Sequence, residues 1–469
     1  MRRAVALAAL LSGCAVGPNF ERPPAPDAGT YTPQPLPASF VESLDIPGEW
    51  WTLFHSQPLD DLIDRALRAN PDLRAAQASL VAAREGALAQ RGAFFPSVDA
   101  NASVSRNKTS QQISPTPSSG ESIFSLYTPQ LTVSYAPDVF GLTRRTVESA
   151  DAQAEQQRFA LIATDLTLTS NVAVGAIEEA LLRAQIDATH ELIAINTDML
   201  QALQHQFVKG YIGRLDVAAQ QSQLAQVQAT LPPLRKRLAQ QRDLLIALSG
   251  GLPNQELPEQ FALASLELPS ELPVSLPSRL VEQRPDVREA EESLHAASAR
   301  VGIAVANRLP NFTLNADVGT MALTAATVFA GGAGFWTLAA GVAQPVFHGG
   351  TLLHDERAAR AELDQAAAQY QSTVVAACQN VADSLHAIQQ DGEALSAATA
   401  ARDAAAVTLT LSTNQFRAGY AGYLSVLNAE QTYQQAMLNL VQAQADRYSD
   451  TVALFQSLGG GWWNRKELN

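Results

Sequence analysis

The sequence predicts a mainly α-helical chain that also gives four strands to a membrane β-barrel, with the fold built as two equivalent halves. Three observations carry this prediction. A turn motif occurs twice, two proline-free stretches are far longer than globular helices, and four segments alternate apolar and polar residues with period two.

The turn motif reads QFVKGYIGRLDV at 206–217 and QFRAGYAGYLSV at 415–426. Gln206, Phe207, Gly210, Tyr211, Gly213, Leu215 and Val217 align with Gln415, Phe416, Gly419, Tyr420, Gly422, Leu424 and Val426, an offset of 209. Ala/Gln-rich helical stretches flank both copies. Two glycines three apart between helices read as a tight turn in which each glycine enters positive φ without strain. A second echo pairs PDLRAAQASLVAAR (71–84) with PDVREAEESLHAAS (285–298), and FFPSVDANA (94–102) with RLPNFTLNA (308–316), at an offset of 214. Proline, glycine and aromatic positions match along with the alanines, so the relation is a duplication and not shared composition.

At the start, Arg2 and Arg3 precede an apolar run, Ala4 to Leu11, and then Leu11-Ser12-Gly13-Cys14. Residues 1–13 read as a lipoprotein signal peptide, too short to cross a membrane as a helix. Cys14 is the expected lipid-attachment site, acylated on sulfur and on the new amine, and several acyl chains anchor stably where one does not. Ala15 after the cysteine points to outer-membrane sorting. Loss of residues 1–13 removes two arginines and takes the net charge from −14 to −16. So acidic a chain is a poor partner for nucleic acid, whose binding depends on neutralising phosphates. Cys378 then has no disulfide partner and is expected to be a small buried apolar residue.

Residues 14–50 form the acylated N-terminus and an extended segment rich in proline. A first repeat follows at 51–257, with strands about 96–106 and 126–137 and a long helical hairpin about 141–249. Residues 258–278 are a linker. The second repeat, 279–458, has strands about 311–320 and 335–346 and a hairpin about 350–458; 459–469 is the C-terminal tail. In the first strand Val98, Ala100, Ala102 and Val104 alternate with Asp99, Asn101 and Ser103. Leu131, Val133 and Tyr135 do the same in the second. Phe312, Leu314, Ala316 and Val318, then Trp336, Leu338, Ala340 and Val342, repeat the pattern. Such strands suit lipid on one face and water on the other, although a half-buried soluble sheet alternates in the same way. Four strands cannot close a barrel, and an open edge in hydrocarbon leaves backbone groups unsatisfied, so closure requires other copies of the chain.

Leu142 to Phe207 and Thr351 to Phe416 are each 66 residues without proline. One continuous helix of that length reaches roughly 100 Å, a coiled-coil or tubular dimension. Return helices are expected at 214–249 and 423–458, and shorter ones at 71–92 and 285–307. Enzyme signatures are absent: there is no G-x-S-x-G, no H-E-x-x-H, no phosphate loop and no Cys/His cluster. His348 and His354 read as a turn and a solvated histidine. No metal is expected, and no cofactor beyond the lipid on Cys14. Trp50, Trp51, Trp462 and Trp463 read as packing residues.

LSGCAVGPNF (11–20), WWTLFHSQPLDDLIDRALRANPDL (50–73), YAPDVFGLTRR (135–145), AQPVFHGG (343–350) and LFQSLGGGWW (454–463) together resemble the outer membrane factor family, the TolC-like channels, and especially their lipidated NodT/OprM-type efflux members. The resemblance implies a homotrimer with a twelve-stranded barrel in outer-membrane lipid and a twelve-helix periplasmic tunnel. An equatorial belt would come from 258–278 and the C-terminal segment. It also implies an exit duct that works with a periplasmic adaptor (a membrane fusion protein) and an inner-membrane transporter of RND type. Gly210, Tyr211, Gly213, Gly419, Tyr420 and Gly422 would then be periplasmic tip turns that meet the adaptor. Asp216, Ser425 and Asn428 fall where relatives ring the closed mouth with acids. Only Asp216 keeps the acid, which weakens the expectation of an acidic ring; a helix-start carboxylate favoured by the dipole is the other reading of that residue. A duct for type I protein secretion and a coiled-coil envelope scaffold are the alternative functions.

Overall fold

Residues 15–27, 29–33, 40–42, 45–110, 122–269 and 271–467 are described in the computed structural model. The signal peptide and Cys14 lie outside the described residues. The elements are β1 (Phe40–Glu42), α1 (Gln57–Ala69), α2 (Pro71–Arg91), β2 (Ser97–Lys108), β3 (Ile123–Tyr135), α3 (Leu142–Val208) and α4 (Arg214–Leu248). They continue with β4 (Leu272–Val274), α5 (Pro277–Gln283), α6 (Pro285–Ala306), β5 (Asn311–Thr320), β6 (Gly334–Ala343), α7 (Thr351–Arg417) and α8 (Tyr423–Ser457). Both long helices have 67 residues and both return helices 35, so the duplication holds to the residue. Proline at the first position starts α2, α5 and α6, where its missing N–H costs nothing.

The chain divides into two compact units. The first comprises Met1–Pro23, Leu80–Gln157 and Ala290–Tyr370. It holds the four-stranded antiparallel sheet in the order β2-β3-β5-β6, which leaves β2 and β6 as edges. Register sets apolar against apolar: Val98 faces Val133, Val133 faces Ala316 and Ala316 faces Leu338. On the other face Asp99, Thr132, Asp317 and Thr337 form a polar row, in which Thr132 Oγ1 donates to Asp317 Oδ1 at 2.8 Å. Ser134 Oγ likewise donates to Asn315 Oδ1 at 2.9 Å. Val98, Val104, Leu131, Val318, Trp336, Leu338 and Val342 are all exposed, so among the described residues none covers this apolar face.

Behind the sheet, Asp138 caps α3 by accepting from Thr143 N–H and Arg144 N–H, both at 3.0 Å. The described N-terminal residues are fastened to the same helix start. Val16 N–H donates to Phe140 O at 3.1 Å, and the buried Arg145 guanidinium donates to Val16 O at 3.1 Å and to Asn19 Oδ1 at 2.8 Å. Gly302 makes room for that guanidinium, since a Cβ there would lie 2.8 Å from Arg145 Cγ. Phe20 stacks on His295 with centroids 4.3 Å apart. His295 bridges Glu292 and Glu148, and its pKa is raised first by the Glu292 bond and then by Glu148, with burial opposing.

The second unit comprises Pro24–Ser79, Arg158–Glu289 and Gln371–Asn469. Its core gathers Trp50, Phe54, Leu59, Leu62, Ile63 and Phe455, with Trp50 stacked on Phe455 at 5.5 Å. Glu179 is fully buried on α3 and is satisfied by Arg183, by Arg242 Nη1 at 2.8 Å and by Phe261 N–H at 3.0 Å. A buried carboxylate with two cations and a backbone donor ties the linker to the helix. The tail is bound by Trp462 Nε1 donating to Gln283 O at 2.6 Å and by the Arg465–Asp165 ion pair at 2.6 Å.

Two expectations change in this unit. The segments read as extended chain and linker form a two-stranded parallel pair, β1 with β4, in which Phe40 faces Leu272. Three residues are too few to show alternation, so periodicity could not reveal them. Cys378 is half-buried and not buried, and partial desolvation raises its thiol pKa.

Candidate functional site

The two repeated turns have the same backbone. Gly210 N–H donates to Phe207 O at 2.9 Å and Tyr211 N–H to Gln206 O at 3.0 Å. Gly419 N–H donates to Phe416 O at 3.0 Å and Tyr420 N–H to Gln415 O at 2.8 Å. This pair of bonds is the Schellman closure of a helix C-terminus, and it requires a left-handed residue at the glycine. Gly210 has φ of 78° and Gly419 of 80°.

The second glycine of each pair behaves differently from expectation. Gly213 has φ of −85° and Gly422 of −76°, ordinary values for any residue. Both are N-cap positions of the return helices, where a small residue suits the extended backbone. The same Schellman pair also ends the return helices, at Gly250 and Gly251 and again at Gly459 and Gly460.

Side chains at the turns divide into an exposed rim and a packed interior. Tyr211, Leu215, Tyr420 and Leu424 are exposed. Beneath them Met199, Leu203, Val217, Phe416, Tyr423 and Val426 form one apolar cluster joining both hairpins. Phe416 and Tyr423 meet edge to face at 5.9 Å.

A polar network crosses from one hairpin to the other within this cluster. Gln220 on α4 donates from Nε2 to Asn196 O and Oδ1 on α3, both at 3.0 Å, and accepts from Tyr423 OH on α8. Farther along, Gln431 Nε2 donates to Gln223 Oε1 at 3.2 Å and Tyr433 OH to Glu191 Oε1 at 3.3 Å. Burial, followed by the charges of Glu430 and Asp216, raises the Tyr423 phenol pKa. Glu430 lies on the buried stripe of α8, and burial pushes its carboxyl up to about 7 against the smaller opposing effect of Gln220.

The predicted aperture residues are not joined by any hydrogen bond among the described residues. Asp216 is half-buried in the first turn of α4, Ser425 is exposed with Oγ donating to Gly422 O at 2.7 Å, and Asn428 is exposed. Sequence reasoning missed Gln220, Asn196, Tyr423 and Glu430. A usable signal was present: Val217, Gln220, Gln223, Val227 and Leu231 occupy one helical stripe of α4, and Glu430 lies on the buried stripe of α8 with Tyr423, Val426 and Tyr433. Polar residues on an apolar stripe mark such a network.

The chain as a whole is similar to known outer-membrane proteins. The family described as outer membrane efflux protein matches residues 62–251 and 276–460. The toluene efflux pump outer membrane protein TtgC of Pseudomonas putida is 30% identical over 461 residues, covering 97% of this chain and 94% of that protein. Among solved structures, the outer-membrane channel OprN superposes with a TM-score of 0.88 at 26% identity, covering 96% of this chain and 100% of that one. The open state of the Neisseria gonorrhoeae MtrE outer membrane channel gives 0.82 at 26% identity, covering 96% and 99%.

Proposed function

Because the chain belongs to the outer membrane efflux protein family, we infer that it is the outer-membrane exit duct of a tripartite efflux pump in a Gram-negative envelope. The observation that carries this reading is the sheet of the first unit. Among the described residues it has an uncovered apolar face, a hydrogen-bonded polar face and two edge strands with no outer partner. Lipid takes the apolar face, water the polar one, and other copies pair the edges. Three copies give the twelve strands that family resemblance implies, which makes the working unit a homotrimer.

The chain holds itself in the membrane by this barrel and by lipid on Cys14. The Gly210 and Gly419 turns form the periplasmic mouth and the surface that meets an adaptor, whose inner-membrane transporter, of RND type, supplies the energy. Exposed Tyr211, Leu215, Tyr420 and Leu424 give that surface apolar anchors between polar neighbours. Asp216 contributes three carboxylates to the closed mouth of the trimer. The chain itself does no chemistry; opening is a change in packing between hairpins.

Deletion of the chain, with susceptibility measured across solvents, antibiotics and metal salts, tests the reading. Sensitisation to at least one class, reversed by the intact chain, is expected. Unchanged susceptibility together with loss of an exported protein from the medium would replace efflux with secretion.

A further inference from the structure

On α8 the residues Tyr423, Val426, Ala429, Glu430 and Tyr433 share one buried stripe, and Glu430 is the carboxyl among them. It is 2% exposed, and neither oxygen has good hydrogen-bond geometry to a protein donor. Its repeat counterpart, Gln221, is exposed on α4, so the duplicated fold does not demand an acid at this place.

The groups around it come from all four hairpin helices. From α4 come Gln220, its polar neighbour, and Asp216, whose charge reaches Tyr423. From α3, Asn196 holds Gln220; from α8 itself, Tyr423 does the same. α7 contributes Phe416 and Leu409 to the adjoining apolar cluster. Among the described residues no lysine, arginine or histidine is ion-paired with Glu430. An ionised carboxylate here has no paired cation among the described residues, and only the Gln220 side chain opposes its desolvation, an effect smaller than that of burial.

We propose that Glu430 is a gating residue: as a neutral acid it lets α8 pack against α4 beside the turns, and its ionisation loosens that contact and favours the open mouth. This rests on reading the turns as the mouth of the duct. The sign follows from burial. A carboxyl titrating at about 7 when packed, and as an ordinary carboxylate when water reaches it, stabilises the packed form at lower pH and ceases to as pH rises through 7. Between pH 6 and pH 8 the ratio of packed to loosened form falls about tenfold per protomer.

The test uses the full-length lipidated protein and Glu430→Gln, which keeps shape and removes the charge. Asp391→Asn is the control, because Asp391 faces Asp450 and is also pushed up to about 7, first by burial and then by that neighbour. Single-channel open probability in planar bilayers is expected to rise from pH 6 to pH 8 in wild type and in Asp391→Asn, and to stay at the pH 6 value in Glu430→Gln. Amide exchange over 214–227 and 423–436, corrected for intrinsic rates, is the second measurement, with protection expected to fall in the same two proteins only. The proposal is overturned if Glu430→Gln follows wild type, if wild type shows no pH response in exchange, or if Asp391→Asn abolishes the response. Failure of the duct reading shows separately, as unchanged susceptibility on deletion or as no current at any pH while the exchange response persists.

Discussion

The two hairpin turns share a backbone and differ in where they put it. Phe207 is 43% exposed whereas its counterpart Phe416 is 8% exposed, and Arg214 is exposed where Tyr423 is buried. Two positions of the twelve-residue motif are therefore surface in the first repeat and core in the second, while Tyr211 and Tyr420 are exposed in both and Val217 and Val426 buried in both. Backbone geometry is the same in both, with a glycine at positive φ in the same place. Side-chain chemistry was free to diverge, and it did so where the hairpins touch: Gln220 and Asn196 stand opposite Ala429 and Ala405 in the repeat. The second hairpin supplies the phenol and the acid, and the first supplies Gln220, which accepts from the phenol, and Asn196, which accepts from Gln220.

The strongest way to break this comparison is to cut both repeats at equivalent positions. Tyr423→Ala removes an aromatic ring from the joint cluster and the donor to Gln220, at a cost of about 3–5 kcal/mol in local opening free energy. Arg214→Ala at the matching exposed position stays within about 0.5 kcal/mol. Amide exchange across 196–231 and 409–436 reads both. Equal losses would mean that the two tips are packed alike.

A second pair tests the part held in common. Nothing lies within 4 Å of a Cβ built on Gly210 or Gly419, so alanine there meets only backbone strain. Each substitution is expected to cost about 1–2 kcal/mol, and the two values should agree. Gly213→Ala and Gly422→Ala, at ordinary φ, cost roughly 0.5 kcal/mol through a poorer N-cap. A different cost at Gly210 and Gly419, by the same exchange measurement, would show that side-chain surroundings and not φ decide the turn.

Much of this was legible because the chain is punctuated by residues whose physics is local. Asn70-Pro71 and Arg284-Pro285 start two of the shorter helices, glycines follow the long ones, and the proline-free stretches 142–207 and 351–416 gave both 67-residue helices to within a residue. The strands were legible because one face needs lipid and the other water. Interior chemistry was not. Gln220, Asn196 and Tyr423 are joined by hydrogen bonds across three helices, so no single stretch of sequence displays the network. Pairing of β1 with β4 depends on a contact between residues more than 200 apart, with no periodic trace in either segment. Nor could sequence distinguish the two glycines of the motif, since the need for positive φ at one and a cap at the other emerges only from the hydrogen bonds.

Asp216→Ser makes the first turn like the second at the position of Ser425, and its expected effect on stability is small. Asp216 lies in the first turn of α4, where the helix dipole favours a carboxylate by about 0.3–1 kcal/mol, and serine recovers part of that by hydrogen bonding to the backbone. Its half-buried position nevertheless leaves it able to act on ions in the mouth, and a trimer would hold three such charges with no other acid at the aligned turn positions. Reversal potentials measured across a salt gradient in planar bilayers separate these roles. Loss of cation preference, with protection of α4 reduced by no more than about 1 kcal/mol, places Asp216 at the constriction. Unchanged preference with the same small loss of protection leaves the helix-start role alone, and the polar row of Asp99 and Asp317 on the sheet becomes the next place to look for charge selection.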